Sequence, residues 1–156
     1  MTAPRDSRSA AFGYLLVVED ELHGYTGGLL VVCDRGRPLE FHCTEPVQPS
    51  RAQQILFGPT LRDFVCGEQI GGVLVSKCKL PLAVLLVLDE PTAGAGRAAG
   101  IETIVLNDDT PINASLPESL ATLADAIDPA EPFERVREAI REAQRLVTGS
   151  DERVAA

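Results

Sequence analysis

The chain has 156 residues, of which 45% are hydrophobic, 24% charged and 4% aromatic, and it carries a formal charge of −9. That length is enough for one domain with its own core and no need of cross-links. The excess of acids argues against a dominant phosphate-backbone contact, and no apolar run is long enough to span a bilayer.

The first fourteen residues, MTAPRDSRSAAFGY, contain no hydrophobic segment of the secretory kind, so a cytoplasmic protein with reduced cysteines is expected. Residues 1–11 read as a flexible tail, 12–149 as a single α+β domain, and 150–156 as a second tail. Twelve of the fourteen basic residues are arginine, which reads as a compositional habit of a high-GC bacterial genome.

The pattern predicts a first strand over 14–18, ending at Glu19-Asp20-Glu21. A loop rich in glycine (Gly24, Gly27, Gly28) leads to a second strand over 29–33. Asp34-Arg35-Gly36-Arg37 reads as a hairpin turn. A third strand over 39–44 alternates Leu39, Phe41 and Cys43 with Glu40, His42 and Thr44, so that one face is expected to be wet. The first two strands are apolar on both faces and should lie further inside. Ser50 can cap a short helix over 51–57, and Gly58-Pro59 breaks it. The next helix, capped by Thr60, has an inconsistent stripe. Leu61, Phe64 and Val65 share one face, while Cys66, Ile70, Val73 and Leu74 fall nearly opposite. A bend near Gly67, or an extended 73–76, is expected.

Residues 83–88 form an uninterrupted aliphatic run, the mark of a strand covered on both faces. Residues 91–100 read as a flexible loop of small residues, and 102–106 as a fifth strand closing at Asn107-Asp108-Asp109. A helix over 116–127 follows. Asp128-Pro129-Ala130-Glu131 then has the form of a cap, a first-turn proline and a capping-box glutamate for a last helix ending before Gly149. That helix aligns Phe133, Val136, Ile140, Ala143 and Val147 on one stripe. Glu134–Arg137, Glu138–Arg141 and Glu142–Arg145 sit three apart on its polar side. The fold expected is therefore α+β with a single mixed sheet. An antiparallel three-strand meander comes first, then helices, two further strands and a C-terminal helical pair.

Several motifs invite a chemistry. Residues 83–94, AVLLVLDEPTAG, resemble the Walker B strand of an ABC-type ATPase, which would imply Asp89 on magnesium and Glu90 polarising water. The Gly-rich loop ending in Gly-Lys-Ser/Thr that such an engine requires is nowhere in the chain. The glycine-rich 94–100 follows a strand, but the next strand starts too soon for the helix of a dinucleotide fingerprint. Cys33, Cys43, Cys66 and Cys78 contain no C-x-x-C pair, and Cys33 and Cys43, in predicted strands among aliphatics, read as small buried hydrophobes. His42 points away from Cys43 in an extended strand and cannot serve it as a base. His23, in a loop, is placed to help a metal site. Asn113-Ala114-Ser115 spells a glycosylation sequon by chance.

Acid pairs at three strand ends carry more weight: Glu19-Asp20, Asp89-Glu90 and Asp108-Asp109. Were those strands parallel neighbours, the acids would gather at the sheet edge where α/β proteins bind ligands, and paired carboxylates suit magnesium. The element order resembles the opening of the ribonuclease H-like nucleases, a topological likeness that implies a helix-borne acid such as Glu68.

The function expected from these observations is a non-catalytic cytoplasmic binding or accessory subunit of a larger bacterial assembly, without cofactor. It would work through protein–protein contacts or as a homo-oligomer, with Phe133, Val136 and Ile140 as a docking stripe and with neither membrane nor nucleic acid as partner. The alternative is a magnesium-dependent phosphodiester hydrolase with a ribonuclease H-like sheet, its metal held by Asp20, Asp89 and Asp109. A third reading is a small-ligand sensor with its ligand under the glycine-rich loops.

Overall fold

The computed structural model describes residues 10–106 and 118–155. Five strands form a single mixed sheet in the order β3-β2-β1-β4-β5, an α+β arrangement that begins with the expected meander. β1 (Ala11–Asp20), β2 (Gly24–Cys33) and β3 (Pro38–Cys43) are antiparallel neighbours. β4 (Val84–Val87) runs parallel to β1 on its other side, and β5 (Thr103–Val105) parallel to β4. The β2–β3 turn closes where Gly36, at φ +79°, donates its N–H to the Cys33 carbonyl at 2.9 Å.

The glycines expected in a loop lie instead within β2, which starts at Gly24. Their purpose is clearance. A Cβ on Gly27 would collide with Ile70 and Leu74, and one on Gly28 would meet Val136 at 2.9 Å and Ile140 at 3.2 Å. One residue thus admits helices on one face of the sheet and its neighbour admits helices on the other.

Strand alternation splits the core into two layers. Leu15, Leu29, Val31, Leu85 and Val87 face one side, which we call face A. Phe12, Tyr14, Leu16, Leu30, Val32, Val84 and Leu86 point to the other, face B.

Face A is covered by the middle of the chain. Helix α1 (Arg51–Phe57) begins with a reciprocal capping box between Ser50 and Gln53, as the hydroxyl and amide types at those positions favour. It buries none of its residues, and Leu56 is 83% exposed. After a 3-10 turn (Gly58–Thr60), residues Asp63–Ile70 form a π-helix that runs directly into α2 (Gly71–Lys77). The expected bend near Gly67 is replaced by this wider winding. The Gly71 N–H reaches back five residues to the Cys66 carbonyl, and the changed phase puts Val65, Cys66, Ile70 and Leu74 into one core, which an ordinary helix could not do. Residues 67–77 are accordingly one continuous helical path.

The segment expected as a flexible loop after β4 is also helical: α3 (Glu90–Ala98). Asp89 caps it by accepting the Thr92 N–H at 3.0 Å, and Pro91 occupies its first turn, where a missing N–H costs nothing. Its small residues let backbones touch, since a Cβ on Gly67 would stand 2.8 Å from the Pro91 carbonyl.

Face B is covered by α4 (Glu118–Ala126) and α5 (Glu131–Ala155); α5 continues past Gly149, where it was expected to end. Phe133, Val136 and Ile140 are 2%, 0% and 1% exposed against the chain's own sheet, so the stripe weighed for docking is spent on the core. Tyr14 packs edge-on to Phe133 with ring centroids 5.0 Å apart and donates its hydroxyl to the Pro129 carbonyl at 2.6 Å. The three expected i,i+3 pairs along α5 are formed. A further pair, Arg135–Glu131, also hands a guanidinium N–H to the Gly36 carbonyl at 2.6 Å, tying the hairpin to α5.

On the edge strand β3 the expected wet face is reversed. Leu39 and Phe41 are 47% and 41% exposed. Glu40 instead folds over the chain leaving α2, accepting the Lys79 and Leu80 N–H groups and pairing with His42.

Candidate functional site

Because β1 and β4 are parallel neighbours, the acid pair that ends β1 and the pair that follows β4 meet at one sheet edge. Alternation then decides which member of each pair faces which side. Val17 and Val87 belong with face A, so Glu19 and Asp89 emerge on that side, while Val18 and Leu88 pack on face B. Glu19 and Asp89 converge on one guanidinium. Arg62 donates from Nη1 to Glu19 Oε1 at 2.8 Å and from Nη2 to Asp89 Oδ2 at 3.3 Å. All three side chains are 38–51% exposed, so the cluster sits in a wet cleft.

Asp89 Oδ1 is the α3 cap, which fixes the direction of the carboxylate and leaves Oδ2 for the cleft. Asp20, expected beside Asp89, is turned away by the two-residue period. Its carboxylate closes the β1–β2 turn by accepting the His23 N–H at 2.5 Å and pairing with the His23 ring at 3.2 Å. Those bonds hold the Asp20 carboxyl below its ordinary pKa. His23 therefore serves the turn. Asp109 lies outside the described residues. Glu68, on the π-helix, is exposed and has no place in the cluster.

Among the described residues no group of three or more His, Cys, Asp and Glu side chains gathers around a point that would hold a metal ion. Two carboxylates aimed at one point do match the protein's share of a single magnesium site, since that ion completes its shell with waters and phosphate oxygens. They do not make a two-ion clamp.

Arg62 was not legible as part of this edge in sequence. It sits in the short α-helical step over 61–62 that joins the 3-10 segment to the π-helix, and neither winding follows from apolar spacing. Cys66, one turn on, is fully buried, and burial, partly opposed by the Arg62 charge, pushes its thiol up to about 11. Burial also raises the Cys43 and Cys78 thiols. Such thiols stay protonated near neutrality and are poor nucleophiles.

Two clefts meet at Glu19. One, of about 540 Å³, is lined on face A by Glu19, Tyr25, Gln48, Gln54 and Leu61. The other, of about 420 Å³, lies on face B between the end of β1 and α5, where Arg137 and Arg141 stand opposite Glu19 and Asp20. Both arginines line that cleft while pairing with Glu134 and Glu138 of their own helix. The glycine-rich segments, by contrast, are a strand and a helix, which leaves no glycine loop for a sensor's ligand to sit under. No helix among the described residues is long and apolar enough to cross a membrane.

No protein-family model and no curated protein sequence matches this chain. Among solved structures it is similar to Ciona intestinalis endonuclease V in complex with a 24-mer DNA containing an inosine followed by a ribo-adenosine, at 17% identity and a TM-score of 0.41. A variant of that enzyme with a 23-mer of the same kind matches at the same identity and score. Both alignments cover 85% of this chain and only 57–58% of the endonuclease, so the chain spans little more than half the length of these structures. At that score no residue role, substrate or cofactor passes from them to this chain. The expectation of a non-catalytic accessory subunit acting through protein–protein contacts, with nucleic acid set aside as a partner, is corrected by the chain's own geometry: the stripe weighed for docking is buried in the core, and two strand-end carboxylates converge on Arg62 at one sheet edge.

Proposed function

We propose that this chain acts on the phosphodiester backbone of a nucleic acid at the edge where β1 and β4 end. The observation that carries the reading is the convergence of Glu19 and Asp89 from adjacent parallel strands on the single Arg62 guanidinium. Glu19 and Asp89 would hold one magnesium ion, which when bound supplies Lewis-acid polarisation of a phosphate oxygen and a more acidic water. The chain's own groups do the rest. The Thr92 N–H keeps Asp89 pointed into the cleft, and Arg62 offers a planar donor fork to a phosphate. Arg137 and Arg141 on the neighbouring cleft meet the backbone as it leaves the edge. Asp109 keeps its place as a third acid for the cation, and Asp20 acts on the turn alone.

The test is a cleavage assay on end-labelled single-stranded and duplex DNA and RNA with magnesium or manganese. Cleavage is expected on at least one polymer and should fall about 100-fold or more in Asp89→Asn and Glu19→Gln, because several kcal/mol of charge stabilisation converts at tenfold per 1.4 kcal/mol. Asparagine still caps a helix, so Asp89→Asn should melt like the parent. No cleavage of any of the four polymers, together with no gel shift of any of them in EDTA, would overturn the proposal.

A further inference from the structure

We infer that Arg62 is a built-in counterion that closes the acidic edge in the free protein and exchanges its two carboxylates for a backbone phosphate when nucleic acid arrives. The inference rests on reading the Glu19–Asp89 edge as a phosphodiester site, and adds how that site is regulated. Arg62 spans the gap between the two acids with one N–H to each, covering the carboxylate oxygens that a divalent cation would use. The contacts are easily given up. The Arg62 side chain is 46% exposed, its Asp89 contact is long at 3.3 Å, and exposed ion pairs of this kind hold weakly. A phosphate offers the same fork a matching pair of oxygens with more negative charge. Asp89 keeps its direction when Arg62 leaves, because its other oxygen stays on the Thr92 N–H. Arginine and cation therefore compete for the acids, while phosphate and cation assist one another. By linkage the assistance is equal in both directions.

The experiment is calorimetric titration of the full chain with Mn2+, with and without a non-cleavable phosphorothioate oligonucleotide. In the absence of oligonucleotide, Arg62→Ala should bind Mn2+ roughly three- to tenfold more tightly than the parent. The oligonucleotide should tighten Mn2+ binding by the parent more than by Arg62→Ala, in which only direct phosphate ligation of the cation remains. In EDTA, Arg62→Ala should hold the oligonucleotide less tightly. Arg97→Ala is the control for bulk charge, since among the described residues Arg97 pairs with Glu90 beside the site at 2.8 Å and not with Glu19 or Asp89; its Mn2+ affinity should stay at the parent value. Arg62→Gln, with melting temperatures for every variant, guards against misfolding. If Arg62→Ala binds Mn2+ no better, or Arg97→Ala gains as much, the counterion role falls. The phosphodiester reading survives that outcome provided Asp89→Asn and Glu19→Gln still abolish Mn2+ binding. If neither the parent nor Arg62→Ala binds Mn2+, both ideas fall together.

Discussion

The two faces of the sheet are filled in opposite ways. Face B is closed by large side chains: Leu120, Leu123, Phe133, Val136 and Ile140 drop onto Phe12, Tyr14, Leu16 and Leu86. Face A is closed in part by backbone, with the π-helix, α2 and α3 brought together through Gly67, Gly71, Gly94 and Ala95. Arg62 stands at the start of this backbone-closed layer, and Asp89 caps one of its helices. The face closed in part by backbone is thus the one that carries the acidic edge.

The contrast can be broken most sharply by comparing carbon removed with carbon added. Leu123→Ala empties a fully buried site on face B and should cost about 3 kcal/mol or more by urea unfolding, within the range for such truncations. Gly27→Ala adds one carbon to face A, where it meets Ile70 and Leu74. It should cost about 2–3 kcal/mol as overpacking does, nearly as much as removing three carbons from the other face. A Gly27→Ala variant as stable as the parent would show that face A yields after all. The smallest effect expected is polar. The Glu40 carboxyl is held below its ordinary pKa, first by the His42 hydrogen bond and then by the Lys79 and Leu80 N–H groups. A depressed carboxyl contributes stability above its unfolded pKa and loses it as pH falls through the folded one. The melting temperature of the parent should therefore exceed that of Glu40→Gln at pH 7, and the gap should close as the solution is acidified below pH ~4. A gap that stays constant with pH would remove the carboxylate from the account of how α2 is tethered to β3.

Much of the architecture was legible in sequence where a local pattern decides it. The meander, the buried fourth strand and the apolar stripe of the C-terminal helix follow from alternation, an aliphatic run and helical period. The misreadings have one root, which is that small residues are ambiguous. Gly27 and Gly28 looked like freedom in a loop and are clearance in a strand, and their partners, Ile70, Leu74, Val136 and Ile140, lie far along the chain. Residues 91–100 looked flexible for the same reason. Yet Asp89 before Glu90-Pro91 offers the cap-and-proline start that was sought at Asp128, where the carboxylate instead accepts the Ala130 N–H in a turn and the helix begins at Glu131. At the site, the acids themselves were visible as strand-end pairs. Choosing Glu19 over Asp20 required the strand phase, which the neighbouring Val17 and Val18, both apolar, do not reveal.

The widened winding at Asp63–Ile70 has a consequence for how this chain can change. It accommodates more residues per turn than an ordinary helix, and it lies between Arg62 on one side and Leu74 on the other. Winding the same residues with regular pitch would rotate one end against the other by roughly a quarter turn or more. Either the apolar stripe would leave its seat or the guanidinium would swing off the acids. The winding of this segment is therefore constrained jointly by packing and by chemistry, and neither constraint can relax without the other.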